Sequence, residues 1–275
     1  MKSAIQAIAF VALTGICVMA TVGLLTRTMT AAPATQVNTT TNANGKPVAV
    51  VELFTSEGCS SCPPADVNLE RISKIKPMAN GTVLPLSFHV DYWNHLGWED
   101  PFAKEAFSER QRDYARAAKQ NGVYTPQIVV NGKYAFNGSD AALTDKAIQL
   151  SLNQPVIHLV DVSVSKSKAE KTFTMNYSVK LSEPNAERHV EADSDLQMNV
   201  AVATERECVT VVRGENEGCR LSHVWVVKYF DVRTLTKKGV IEIDSAYVVP
   251  GHTRIVAFVQ SKTSREITGA TAVEL

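Results

Sequence analysis

Cys59-Ser60-Ser61-Cys62 sets two thiols two residues apart, where an apolar, β-branched run, Val48 to Phe54, has passed through the short polar loop Thr55-Ser56-Glu57-Gly58. Prolines 63 and 64 follow, residues that suit the first turn of a helix, where a missing N–H costs least. Two sulfurs at that spacing can close a disulfide across the first helical turn, and unpaired N–H groups at a helix start favour a thiolate over a thiol. Cys59, at the loop end, is expected to be the exposed attacking thiol and Cys62 the resolving one. CxxC is also half of many zinc sites, but no second CxxC and no close-spaced His pair occur in the chain, so no metal is assigned. An inert structural bridge is the remaining alternative.

Other residues able to do chemistry cluster in His89-Val90-Asp91-Tyr92-Trp93-Asn94-His95-Leu96-Gly97-Trp98. Trp93 and Trp98 are expected to pack over a sheet edge rather than touch substrate. His89 and Asp91, at a strand end, read equally as a proton relay for the thiols and as hydrogen-bonded core residues. Arg213-Gly214-Glu215-Asn216-Glu217-Gly218-Cys219 is a polar loop bracketed by glycines, either a plain turn or a lip over the site. Cys208 and Cys219 are the expected structural disulfide, since exported chains seldom leave two thiols unpaired. Against the bridge stands strand register, which separates the two residues along a tight hairpin.

The elements around the dithiol alternate. After it comes a helix with Val67, Leu69, Ile72 and Ile75 on one face, then a strand over Thr82 to Val90. Asp100-Pro101 predicts a helix start, continued by Ala103, Phe107, Tyr114 and Ala118. Its charged residues, Lys104, Glu105, Glu109, Arg110, Arg112, Asp113 and Arg116, read as a solvated face. Thr125-Pro126 precedes a strand, Asn131-Gly132 marks a two-residue hairpin turn, and a helix spans Asp140 to Asn153. The order is β-α-β-α-β-β-α, closed by Gln154-Pro155. Beyond it apolar and polar residues alternate, as in Val160/Val162/Val164 and Phe173/Met175/Tyr177/Val179, predicting an antiparallel sandwich of about seven strands.

Formal net charge is zero over 275 residues, which gives no footing for nucleic-acid binding, and a 45% apolar share supports two ordinary cores. The uncharged run from Ala4 to Leu25 meets a membrane, and Ala32-Pro33-Ala34 offers a cleavage site. Residues 1–32 are thus read as either a signal peptide or an uncleaved anchor, the one membrane contact. Residues 33–46, rich in Thr, Asn and Ala, read as a flexible linker. Residues 47–154 form the α/β part and residues 155–275 the β part.

Strand, CxxC at a helix start and a later Thr-Pro before a strand resemble the thioredoxin fold. More narrowly, Glu52 to Asp66, His89 to Trp93, Leu96-Gly97-Trp98, Tyr124 to Gln127 and Arg213 to Asn216 resemble a family of secreted bacterial proteins carrying a domain-of-unknown-function label. Asn94 and Cys219 depart from that family, where Asp and Arg are usual. The resemblance implies an α/β thioredoxin-like domain followed by an all-β antiparallel sandwich domain. It also implies that Pro126 is a cis-proline beside the dithiol, so that Thr125 and Pro126 form the substrate-binding wall. The expected function is an exported thiol-disulfide oxidoreductase, periplasmic or secreted, acting without a cofactor on client proteins or small thiols together with a redox partner. The alternative is a binding or interaction protein, holding a soft ion such as Cu(I) through Cys59, Cys62 and His89 or His95, or carrying a purely structural bridge.

Overall fold

The valine-rich run that leads to the dithiol becomes a strand buried along almost its whole length, as a strand covered on both faces must be. The computed structural model describes residues 35–41, 45–76, 80–166, 171–182 and 194–275. Those from residue 35 onward belong to the compact unit Ala32–Leu275. In order they form β1 Thr35–Thr41, β2 Val48–Thr55, α1 Pro63–Ser73, β3 Thr82–His89, α2 Glu105–Ala117, β4 Gln127–Val130, β5 Tyr134–Asn137 and α3 Ala141–Leu152. Then come β6 His158–Lys166, β7 Thr172–Leu181, β8 Leu196–Thr210, β9 Arg220–Thr234, β10 Lys238–Asp244, β11 Thr253–Ser261 and β12 Ile267–Glu274.

These strands make an eight-stranded mixed sheet, β12-β11-β8-β9-β3-β2-β4-β5, and a four-stranded sheet, β1-β6-β7-β10. This corrects the expected α/β thioredoxin-like domain followed by a separate all-β sandwich. β3 would be an open edge of the β3-β2-β4-β5 block, and β9, from the C-terminal half, pairs with it in parallel at Ser87↔Val226. An unpaired strand edge is costly to leave bare. One core runs through the junction, uniting Val50, Phe54 and Phe88 with Ala201, Val224 and Phe258. The four-stranded sheet covers only the far part of the large one, where Val162 and Met175 meet Met198, Val200 and Ile255.

Side-chain alternation places the helices on opposite faces of β2. Leu53 points toward α1, whose Asn68 and Arg71 hold Thr144 and Asp145 of α3. Glu52 points toward α2 and receives both arms of Arg110, at 2.7 Å each, with the Tyr114 hydroxyl at 2.8 Å. Arg110 is therefore no part of a solvated face. It is 3% exposed and also reaches Gln260 of β11. Burial works against its charge, but Glu52 outweighs burial and raises its pKa. A bidentate carboxylate is the geometry that makes such a buried guanidinium tolerable.

Three further local expectations are corrected. Thr35–Thr41, inside the expected linker, pairs antiparallel with β6, since backbone hydrogen bonds to an open strand need no apolar side chains. The second helix begins at Glu105, not at Asp100-Pro101: Asp100 instead closes a turn of its own, accepting the Phe102 N–H at 2.9 Å. Cys208 and Cys219 are both free and exposed. Cys208 faces Ser222 in the β8–β9 ladder, while the Val211 N–H bonds the Cys219 carbonyl beyond its end. The two thiols are thus an odd number of ladder positions apart, on opposite faces of the ribbon. The N-terminal apolar run and its cleavage site lie outside the described residues, among which no helix is long and apolar enough to cross a membrane.

Candidate functional site

Cys59 and Cys62 are joined by a disulfide with Cα atoms 5.4 Å apart. Cys62 is the N-cap of α1, its carbonyl accepting the Ala65 and Asp66 N–H groups, and Pro63 and Pro64 fill the positions where an N–H has no intrahelical partner. Both cysteines are fully buried; exposure at this turn falls on Ser60 and Ser61. The expectation of an exposed Cys59 is corrected accordingly. Its sulfur lies 3.4 Å from the Ser61 hydroxyl.

Two close approaches tie the Thr125-Pro126 segment to this loop. A Cβ on Gly58 would stand 3.1 Å from Cβ of Trp93, whose indole N–H donates to the Thr125 hydroxyl at 2.7 Å. The Thr125–Pro126 bond is cis. A Cβ on Gly138 would come within 2.9 Å of Leu53, 3.0 Å of Ala65 and 3.4 Å of Pro126, so only glycine lets this strand end pass between α1 and the proline. The Gly138 N–H donates to the Pro126 carbonyl, and the Asn68 amide to that of Gly138.

Behind the dithiol loop lies a buried cluster of five titratable side chains: Glu57, Asp66, His89, Asp100 and His223. His89 Nδ1 is 2.7 Å from Asp100, the same carboxylate that accepts the Glu57 backbone N–H at 2.9 Å. Burial opposes ionisation of Asp100, yet His89 and the Glu57 and Phe102 amides outweigh it and lower its pKa. His223, from β9, stands edge-on to His89 with ring centres 4.6 Å apart. It lies between Glu57 at 3.5 Å and Asp66 at 3.4 Å, at ion-pair rather than hydrogen-bond geometry. Burial pushes the imidazole pKa down, but Asp66 and Glu57 overcome it and raise the value to about 10. Trp98 donates to the other Glu57 oxygen at 2.7 Å. Asp91 takes no part: the Ser108 hydroxyl of α2 donates to its carboxylate, because the chain leaves the sheet after His89 and strand parity no longer applies. Of the two readings of His89 and Asp91, relay or hydrogen-bonded core, the contacts fit the second for Asp91, which is held by Ser108, while His89 is held by Asp100.

The front of the loop meets the tip of the β8–β9 hairpin. The Asn216 amide donates to the carbonyls of Glu57 and Cys59, at 2.8 and 3.0 Å. The Glu215 carboxylate accepts the Ser60 N–H at 3.0 Å and its hydroxyl at 2.7 Å, and these bonds lower its pKa. Of the two readings of this loop, turn or lip, the contacts fit the lip.

A family model described as a protein of unknown function (DUF1223) matches residues 50–260. The chain belongs to that family. The DUF1223 match begins in β2 and ends at Gln260, so it takes in the dithiol, the cis-proline, the hairpin tip and His223 together. Among solved structures, protein AGR_C_4864 from Agrobacterium tumefaciens is similar at 28% identity and a TM-score of 0.58, over 82% of this chain and 93% of its own. HBP35 of Porphyromonas gingivalis aligns at a TM-score of 0.60 over 84% of this chain and 76% of its own, and at 16% identity the likeness is one of fold. No curated protein matches.

Sequence reasoning singled out Cys59, Cys62, His89, Thr125 and Pro126, which the fold gathers around one loop. It missed Glu57, Asp66 and Asp100 as acids and His223 altogether, and it singled out the Arg213 to Cys219 loop as a candidate lip without picking Asn216 from it. Asp66 had a local signal, four residues after Cys62 on a helix and hence one turn inward. His223 had none, since its place depends on β9 pairing with β3.

Proposed function

We propose that this chain is an exported thiol-disulfide oxidoreductase whose dithiol segment works as thioredoxin-superfamily dithiols do, on protein or small-molecule thiols and with a separate redox partner. The observation that carries this is the Cys59–Cys62 disulfide at the entry of α1, flanked in the chain by Glu57 and Asp66, the two acids that hold His223 in a buried acid–imidazole cluster. In the reducing direction the Cys59 thiolate attacks a client disulfide. The client S–S bond breaks, one client sulfur leaves as a thiolate and takes a proton from solvent, and a mixed disulfide remains. Cys62 then gives up its proton and attacks Cys59, which reforms the protein disulfide and releases the second client thiol. The oxidising direction is the same pair of exchanges reversed.

The Ser61 hydroxyl, beside the Cys59 sulfur, stabilises the thiolate by donating to it. The carboxylates of Glu57 and Asp66, on either side of the His223 imidazolium, are the groups placed to accept a proton in surroundings from which water is excluded. The Cys59–Cys62 disulfide agrees with an oxidising compartment, periplasmic or extracellular, and the apolar N-terminal run with export, whereas the free Cys208 and Cys219 add nothing to either. The alternative of a soft-ion site finds no support: His89 is committed to Asp100, and His95 bonds the Tyr92 carbonyl on an exposed turn.

Equilibration with glutathione buffers tests the proposal. A working couple titrates above about −300 mV, whereas a structural bridge lies below that value. The Cys62→Ser variant should accumulate mixed disulfides through Cys59. A potential in the structural range, or trapping that survives loss of Cys59 in a chain whose exposed Cys208 and Cys219 are replaced by Ser, rejects the oxidoreductase.

A further inference from the structure

An exchange at Cys59 needs a sulfur that a second thiol can reach, and here both sulfurs belong to fully buried residues. The β8–β9 hairpin projects past its neighbours in the sheet. The last pair of β8 with β11 is Thr204↔Thr253, and the pair of β9 with β3 is Ser87↔Val226. The ladder from Arg206↔Val224 to Thr210↔Arg220 extends beyond both. At its end Asn216 is 6% exposed and spends both amide hydrogens on the dithiol loop, while Glu215 grips Ser60 from the rim. Gly214 and Gly218 bracket the two at φ of 83° and 81°. A Cβ on Gly218 would meet nothing, and one on Gly214 nothing nearer than Trp98 Cβ at 3.6 Å. The glycines therefore serve a backbone conformation rather than a tight fit.

We propose that the hairpin tip is a latch on the dithiol: with Asn216 and Glu215 seated the disulfide is shut away, and a thiol reaches Cys59 only after the tip swings off, pivoting at Gly214 and Gly218. The purpose of such a latch rests on the oxidoreductase reading, whereas its existence does not. Each bond broken on opening is exchanged for one to water, so the open form is a minor state within thermal reach rather than an unfolded one. A substrate that binds only the open form would draw the equilibrium toward it.

The test is reduction of the oxidised full chain by dithiothreitol, with Cys208 and Cys219 first blocked by iodoacetamide. A dithiothreitol thiolate attacks Cys59, the bond to Cys62 breaks and Cys62 takes up a proton. The second reagent thiol then displaces Cys59, giving the cyclic disulfide and two protein thiols, which are counted after acid quench. Relative to wild type, Asn216→Ala should react about tenfold faster and Glu215→Gln about threefold faster, each lost bond raising the open population. Should Asn216→Ala fail to fold, Glu215→Gln, a change of one charge on the exposed rim, decides alone. Rates in the variants equal to wild type overturn the latch. Accelerated rates in a pair having the potential of a structural bridge would uphold the latch and reject the enzyme. Equal rates in a pair of working potential would do the reverse.

Discussion

Replacing His223 by Gln removes an imidazolium from between two buried carboxylates while keeping its volume roughly filled. The two acids raise the His223 pKa from an ordinary 6.5 to about 10. At about 1.4 kcal/mol per pH unit this corresponds to a stabilisation on the order of 5 kcal/mol. A group whose folded pKa is raised contributes fully below its unfolded value. The contribution is therefore complete below about pH 6.5 and drains away as pH climbs through about 10. His223→Gln should cost about 3 to 5 kcal/mol at pH 6, in line with breaking a buried ion pair by removing one partner. The gap to wild type should narrow steadily as pH approaches 10, because wild type then holds a neutral ring as well. Urea unfolding of both proteins at intervals between those pH values measures it, with the difference between the two curves as the readout. A gap that stays constant across the range would refute a charged His223 between Glu57 and Asp66.

Two other outcomes follow from the geometry. Ser61→Ala, deleting the hydroxyl 3.4 Å from the Cys59 sulfur, should raise the pH midpoint for alkylation of reduced Cys59 by about half to one unit, and an unchanged midpoint would dismiss the contact. Arg110→Met leaves Glu52 buried without its guanidinium and should destabilise the chain by about 3 to 5 kcal/mol at pH 7, much of it recovered in the double variant with Glu52→Leu. A single variant within about 1 kcal/mol of wild type in urea unfolding would show the pair to be dispensable.

What the sequence discloses here is what neighbours along the chain decide. Asn131-Gly132 reads as a hairpin turn from two letters, and both residues do sit at positive φ, 47° and 69°. The helix expected over Asp140 to Asn153 forms as Ala141–Leu152, with Asp140 capping it by accepting the Leu143 N–H at 2.9 Å. Pairing across the chain is not written this way. Trp225 to Phe230 is largely apolar and β-prone whichever strand it joins, so nothing in it announces Ser87 as its neighbour. That one undisclosed pairing turned two expected domains into one sheet, and it hid His223. Arg110 was misjudged for a related reason: on a helix full of charges its partner, Glu52, lies 58 residues away.

The bolt that Arg110 makes has a consequence for when this protein can exist as a folded body. Glu52 and Arg110 enter early as the chain emerges, but Gln260, which holds both Arg110 and Tyr114, arrives 150 residues after Arg110. Contacts so distant along the chain delay closure of the core until nearly all of it is present. A chain delivered from its N-terminus would therefore carry the dithiol through most of its delivery without a finished scaffold around it, open to oxidants and to other thiols. The final two strands, which carry no cysteine, set the moment at which that exposure ends.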